Sequence, residues 1–454
     1  MTGAMYAAVS GLRAHMSALN VIGQNISNVN TNAYKATRYT FLEALYTTVR
    51  GGSDGTAMLG GKNPAQNGYG SSIGTIDLDM STKNYTPTGR ATDVMIDGDG
   101  FLLVGDKGQT FTNLNDVRSL NLTRLGNLEF DSQGYLVDGQ GQVVYGYLSV
   151  ENPIYAEQMK REGAADNPLL NWEDVKAALG DPNNPDAMDV ADIDGEYFLD
   201  KDGQLVQVSN EGDEDNPVWK LKVIDQYTPA PTLTAIRKPM KATTTYEEVE
   251  VPDPDDPTKT IIQKVEKTKE GDAVYPTYDP VTGEVKDVED ASLTTGERVG
   301  LESISIDENT GRITATTKNG EAVVIGSIAI AQVDNPNGVT HVDGHYYKAL
   351  DGSGSIRVTS IGHSVKNSDD PESPFYKEVD DGNGNMTRPQ RKTFEVPIES
   401  AGGTKLISGG LESSGTDLAN EISNMIMIQR GYQANTRIVT VTDSMLEELV
   451  NMKR

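Results

Sequence analysis

Hydrophobic residues at the two ends of the chain recur in sevens. Near the N-terminus Met5, Leu12, Leu19 and Ile26 are seven apart, with Ala8, His15, Ile22 and Val29 three residues after each. Near the C-terminus the series is Leu411, Leu418, Met425, Tyr432, Val439 and Leu446, with Ile422, Ile428, Leu449 and Val450 at intermediate positions. Spacings that alternate three and four put one apolar stripe along a helix, and such a stripe calls for another helix against it. The pattern predicts an N-terminal helix over residues 6–28, roughly 35 Å long, and a C-terminal helix from a capping sequence at 414–417 to about residue 452, roughly 55 Å long. The Asn-rich stretch 25–32 suits a left-handed helix exit, and Lys453 and Arg454 suit the negative end of the second helix. Helices this rich in Ser, Thr and Asn draw most of their stability from packing. The ends are therefore expected to pair with each other or with copies of the chain, disordered in the free monomer and ordered in an assembly.

Between the ends the period shortens to two. Residues 94–96, 101–104, 120–130, 135–137 and 143–148 are short apolar runs separated by Asp-Gly, Gly-Asn and Gln-Gly turns, the texture of β-hairpins. Strand-like runs resume at 301–333 and 338–358. Residues 243–250 and 260–266 are polar and β-leaning, separated by a Pro-Asp cluster at 251–257, and predict a solvent-facing hairpin. Another Pro-rich cluster lies at 181–185. Residues 51–75, with eight glycines, predict an irregular extended linker with little core, and 362–404 reads as polar loop with one apolar patch at 394–397. If the two ends pair, each successive domain is built from an early and a late segment. The fold class expected is multidomain α+β, with paired, coiled-coil-like terminal helices and nested, discontinuous β-rich domains. The boundaries expected are 1–35 with 405–454 for the helical domain, 36–70 for the linker, 71–149 with 299–404 for a first β domain, and 150–298 for an outer acidic β domain.

Composition sharpens this picture. A chain of 454 residues is too long for one core. Acidic residues outnumber basic ones 67 to 39, for a net charge of −28, which disfavours nucleic acid or an anionic membrane as partner. The charge is uneven: residues 1–50 carry +3 and residues 405–454 carry −1, leaving the middle at −30. Nearly neutral ends suit an interface, and an acidic middle suits a solvated exterior. The absence of cysteine excludes disulfides and thiolate chemistry. No run approaches a membrane span, and Arg13, His15, Asn20 and Gln24 interrupt any signal-peptide core.

Candidate chemistry is thin. The sequences 97–100, 192–195 and 200–203 resemble calcium-loop fragments. Registering each final Gly on the sharp turn, however, puts Met95, Val190 or Phe198 at the first ligand and Asp106, Lys201 or Ser209 at the closing one, so they read as turns. His341 and His345 have a metal-ligand spacing, but Asp343-Gly344 between them reads as a hairpin turn. No nucleophile elbow, phosphate loop or dinucleotide fingerprint occurs. Neither an enzyme nor a cofactor is expected.

The motifs flanking the heptads carry a resemblance. The stretch 9–15 (VSGLRAH), followed by 20–31 (NVIGQNISNVNT) and 33–35 (AYK), resembles the N-terminal signature of the bacterial flagellar axial proteins, and 417–421 (DLANE), 429–435 (QRGYQAN) and 443–450 (DSMLEELV) resemble its C-terminal partner. Within that family the chain is most similar to the hook proteins. Its 98–101, 123–127, 131–137 and 144–147 resemble their first β domain, and 325–330 with 335–338 the returning half. The resemblance implies a non-catalytic subunit, exported unfolded through the flagellar type III apparatus without a cleaved signal. Outside the cell it would polymerise into a curved tube that joins rod to filament and passes torque as a universal joint. It implies identical copies, rod and hook-associated junction proteins, the hook cap and the export apparatus as partners, with no nucleic acid and no membrane insertion. The family motif maps onto Ser10, Gly11, Leu12, Asn25, Asn28, Asn30, Thr31, Gln429, Arg430, Gly431, Tyr432, Gln433, Ala434 and Asn435. The self-association interface is expected at Met5, Leu12, Leu19, Ile22, Ile26, Val29, Leu411, Leu418, Ile422, Met425, Tyr432, Val439, Leu446 and Leu449. Two other readings stay open: a distal rod protein with an enlarged insertion, and a secreted adhesin or carbohydrate-binding protein with flagellar-type ends. The last requires an aromatic platform, for which Trp172 and Trp219 are the only tryptophans.

Overall fold

The structure, a computed structural model, describes the chain apart from residues 1, 56–59, 112, 162–168, 179–192, 213–217, 253–259, 269–271, 363–366, 369, 372, 378, 381–385, 388–398, 401 and 453–454. The expectations at 181–185 and 394–397, most of the 251–257 cluster, and Lys453 and Arg454 lie outside the described residues.

Two helices hold the ends. The N helix is Thr2–Ser27 and the C helix is Leu418–Met452. The C helix starts where Asp417 offers its carboxylate to the orphan amides of Ala419 and Asn420, at 3.1 and 3.2 Å. The N helix begins four residues earlier than its heptad suggests and exits differently. Among the described residues the left-handed non-glycine is Ala33, with φ +57°, rather than one of the asparagines. Asn25 and Asn28 work through their side chains instead.

The two helices run antiparallel. Asn25 bonds Glu421, Gly11 packs on Asn435 and His15 packs on Gly431, so partner positions rise along one helix as they fall along the other. Residues beyond about Met445 therefore overhang the start of the N helix.

The later part of the glycine-rich segment 51–75, expected to be an irregular linker, is drawn into strands that pair with the chain just after the N helix. Thr37–Glu43 pairs antiparallel with Ser71–Leu78, and Tyr46–Arg50 with Ala65–Gly68. Thr and Tyr at alternating positions favour the pleat, and Tyr39 and Ile73 anchor the first pair on the helix hairpin beside Ile22 and Met425.

The main β domain is discontinuous. Its central strand, Ala322–Val333, pairs on one side with Val143–Glu151 (Gly146 opposite Ile328) and also with Phe101–Gly105 and Ile356–Ser360. Both faces of this sheet are covered. Phe101, Leu103, Tyr145 and Ala331 fill one core, while Leu102, Val104, Val144 and Ile330 fill the other. Burial on both faces explains why these strands read as continuous apolar runs. The chain returns through Lys405–Ser408, paired with Asp93–Asp97, and Gly410–Glu412, paired with Tyr85–Pro87. Nested pairing of early with late segments follows from the paired ends.

The acidic middle holds smaller sheets. Tyr197–Leu199, Leu205–Asn210 and Trp219–Val223 form three strands over a core of Trp172, Val175, Ile193 and Phe198. Thr245–Pro252 and Thr260–Thr268 form the expected hairpin. Gly98, Gly100, Gly195 and Gly203 all have positive φ, as turns require. His341 and His345 flank the hairpin turn between Thr340–His341 and Tyr346–Lys348, each ring set against a different tyrosine.

Candidate assembly site: the terminal helix pair and its clamp

The seam between the helices is lined by small residues. On the N helix the buried positions are Ala8, Gly11, Ala14, Ala18, Val21, Ile22 and Asn25. On the C helix the positions turned inward are Glu421, Met425, Ile428, Gly431, Asn435, Val439 and Thr442. The heptad period is right, but the buried face is turned about one residue from the expected stripe. Of the expected interface residues, Ile22 is buried in the seam, and Leu12, Leu19, Ile26, Val29, Met425 and Val439 are half-buried. Met5, Leu418, Ile422, Tyr432, Leu446 and Leu449 are exposed. Leu411 is a correction: it is buried, but in the strand Gly410–Glu412, seven residues before the helix begins. Where Gly11 and Gly431 face the partner helix there is no room for a side chain as large as leucine.

Two glycines set that approach. A Cβ on Gly11 would lie 2.6 Å from Asn435 Nδ2, and one on Gly431 would lie 2.8 Å from His15 Nε2. Of the QRGYQAN motif, Gly431 and Asn435 thus face the partner helix, while Gln429, Arg430, Tyr432, Gln433 and Ala434 face outward. His15 edges against Phe41 at 5.6 Å between ring centroids. Its Nδ1 is buried with no hydrogen-bond partner among the described residues, and burial pushes its pKa below the ordinary value.

The asparagine motif closes the lower end of the pair. Asn25 Nδ2 donates to Glu421 Oε1 and to the Thr37 carbonyl, both at 2.9 Å, while its Oδ1 accepts from the Thr37 amide and the Tyr34 hydroxyl, both at 3.0 Å. One amide thereby joins both helices and the first strand, with every hydrogen-bonding site used. Carbonyls at the end of the N helix are capped from the other terminus: Ser414 donates to Asn28 O and Thr416 to Asn25 O. Asn28 accepts from the Thr31 hydroxyl, and Asn30 and Thr31 are exposed. Ser10 donates to the carbonyls of Ala7 and Tyr69, tying the helix to the strand turn at Gly70.

Below this lies a charged cluster that the sequence reading missed. Lys35 Nζ donates to Glu412 Oε1 at 2.8 Å and to Ser81 O at 2.9 Å, and both charged side chains are fully buried. Arg124, also buried, donates to Met80 O and Gly98 O and lies 3.8 Å from Glu412 Oε2. The cluster joins the segment after the N helix, the first β domain and the strand before the C helix. Burial, and then Arg124, push the Lys35 pKa down to about 8, against the opposing pull of Glu412. The available signal was the placement of Lys35 and Arg124 inside family motifs. Beside it, an open cleft lined by Thr37, Asp79, Asn337 and Asn420 separates the helix pair from the β domain.

A helical hairpin clamped to β domains, with apolar faces free on either side of its seam, defines a structural subunit built for assembly. The comparisons agree. A family model described as flagella basal body rod protein matches residues 5–35, and one described as flagellar basal body rod FlgEFG protein C-terminal matches residues 407–452. The flagellar hook protein FlgE of Borreliella burgdorferi is 25% identical across the whole of both chains. That of Salmonella typhimurium is 26% identical over 98% of this chain and 99% of its own. The flagellar basal-body rod protein FlgG of Bacillus subtilis is 41% identical over 141 residues, 31% of this chain and 50% of that one. A crystal structure of Helicobacter pylori flagellar hook protein FlgE2 aligns with 60% of this chain at 13% identity and a TM-score of 0.24, too low to equate the folds. Both ends of the chain thus match models of the flagellar hook and basal-body rod proteins, and flagellar hook proteins align with it along its whole length.

Proposed function

We propose that this chain is the flagellar hook subunit, a non-catalytic building block that polymerises through its terminal helices into a curved tube outside the cell. The observation that carries the reading is a second apolar face on the C helix. Ile438, Val441, Met445 and Met452 are exposed, on a flank roughly a quarter turn from the seam by helical geometry. The overhanging tip adds exposed Leu446, Leu449 and Val450. A contiguous exposed apolar surface of this kind marks a protein interface, and a helix from a second copy fits its shape. From residue 433 onward the opposite flank, with Gln433, Arg437, Thr440, Ser444 and Glu447, is polar and suits a water-filled channel. In this reading the helix pairs form the inner wall and the acidic β domains the outer layers, where wet polar contacts exchange at little cost as the tube bends. Rod, junction, cap and export proteins are the further partners.

The alignment over 141 residues with a rod protein favours a second reading, a distal rod subunit carrying an insertion. Electron microscopy of purified basal bodies separates the two, because a hook subunit extends beyond the envelope and a rod subunit does not. The adhesin reading loses its platform: Trp172 is buried, with Trp219 set edge-on against it at 5.5 Å. Sedimentation and electron microscopy of the full chain beside a form lacking 1–35 and 405–454 test the assembly element. Tubes are expected from the first alone, and tubes from the truncated form would overturn the reading.

A further inference from the structure

The strand Trp219–Val223 is an edge. Among the described residues it pairs on one side with Leu205–Asn210 and on the other with nothing. Trp219 is held edge-on against Trp172, which fixes the strand to its small core. Beyond Trp219 that core runs out. Val218, Leu221 and Val223 are 59%, 45% and 52% exposed. An exposed strand edge with apolar residues is a template for pairing with another chain.

The sequence of this edge, VWKLKV over 218–223, is basic in a molecule of net charge −28. Lys220 reaches Glu211 at 2.7 Å, and both are exposed. Lysines on an edge discourage like-with-like pairing, since two such strands would set lysine against lysine. The same charges select an acidic strand. The chain contains one of suitable length: Thr245–Pro252, reading TYEEVEVP, forms a two-stranded sheet with Thr260–Thr268 alone, so its outer edge is also unpaired among the described residues.

We propose that the Trp219–Val223 edge is an interaction surface between outer domains. Its occupant is the Thr245–Pro252 strand of a second copy, added to the three-stranded sheet by backbone pairing and selected by lysine against glutamate. This rests on the reading that the chain assembles. Main-chain hydrogen bonds supply affinity in such strand addition, and flanking charges supply specificity. A contact built from backbone and screened charge also loosens as salt rises, unlike the apolar helix pair.

The test uses the full chain, which has no cysteine of its own. Lys222→Cys and Glu250→Cys are made as separate variants, with Glu248→Cys covering the adjacent register. They are polymerised singly and mixed, then oxidised mildly. Polymer formation is read independently by electron microscopy, so loss of polymer indicts the assembly reading while polymer without cross-link indicts this one. Disulfide-linked dimers are expected from Lys222→Cys mixed with a glutamate-site variant, and not from either alone. Polymers without mixed dimers, or dimers from Lys222→Cys alone, would overturn the proposal. A second measurement swaps the charges beside the cross-link: Lys220→Glu added to Lys222→Cys should weaken mixed cross-linking to Glu248→Cys severalfold, and Glu250→Lys added to Glu248→Cys on the other copy should restore it. Cross-linking unchanged by the swap would overturn the charge selection.

Discussion

Gly431 lies beneath the imidazole of His15, so close that a Cβ on the glycine would sit 2.8 Å from Nε2. The ring occupies the space that any side chain at 431 would need, and Gly11 stands in the same relation to Asn435. Gly431→Ala is expected to cost little, because a modest turn of the ring makes room and the helix gains up to about 1 kcal/mol of propensity. Gly431→Leu has no such escape, and overpacking of this kind costs about 1–3 kcal/mol. His15→Ala should restore much of that loss in the double variant. Thermal unfolding of the four proteins checks this, and additive losses in the double variant would refute the contact.

The buried charge cluster predicts a large asymmetry. Lys35→Met leaves Glu412 buried without its direct partner and should cost about 3–5 kcal/mol. Lys35→Met with Glu412→Gln should cost less than the sum of the singles, since the two share one contact. The folded-state pKa of Lys35, about 8, lies below its ordinary 10.5. Between these values the unfolded chain holds a proton that the folded chain has released, so this group adds stability as pH rises from about 8 to 10.5. Below pH 8 it contributes no slope. Denaturant unfolding of wild type and Lys35→Met across this window checks the sign: their difference in stability should widen with pH, and a constant difference would refute it.

Much of the fold was legible because period survives even when the face does not. The heptads placed both helices to within a few residues, and the paired ends implied the nesting now seen in Leu406 opposite Ile96 and Leu411 opposite Thr86. The seam was misplaced because hydrophobic size was taken to mark the buried side. Here Ala8, Gly11, Ala14 and Ala18 are buried by close approach of two backbones, while Met5, Leu418 and Ile422 are left out. Leu411 kept the spacing of a stripe but belongs to a strand, because a single residue seven positions before Leu418 fits the spacing whatever its own local structure. The Lys35–Glu412–Arg124 cluster was illegible for a different reason. Its first two members are 377 positions apart, and charge in a sequence reads as surface until a structure buries it.

His15 makes the helix pair acid-sensitive. Burial lowers its pKa from 6.5, so protonation opposes the packed state. Stability through this group is complete above pH 6.5 and is lost as pH falls from 6.5 toward the lower folded-state value. Its ring edges against Phe41 and lies over Gly431, neither of which titrates. Thermal melts between pH 5 and 7 should show a decline that His15→Gln abolishes. An identical decline in that variant would assign the effect to the carboxylates instead.

The exposed flank of the C helix separates folding from assembly. Ile438, Val441 and Met445 touch little within the monomer, so replacing them with serine should leave its stability within about 0.5 kcal/mol. In a polymer the same three side chains would each be desolvated in every subunit, at roughly 1.5–3 kcal/mol apiece. Losing that much at every joint should raise the critical concentration for assembly by orders of magnitude, with the helices still formed. Circular dichroism and sedimentation of the triple variant read the two properties apart. Ile428→Ser makes the control: Ile428 is buried in the seam with Ala18 and Ile22, so that change should unfold the pair first. If the triple variant polymerises as wild type does, the flank is not the contact between copies.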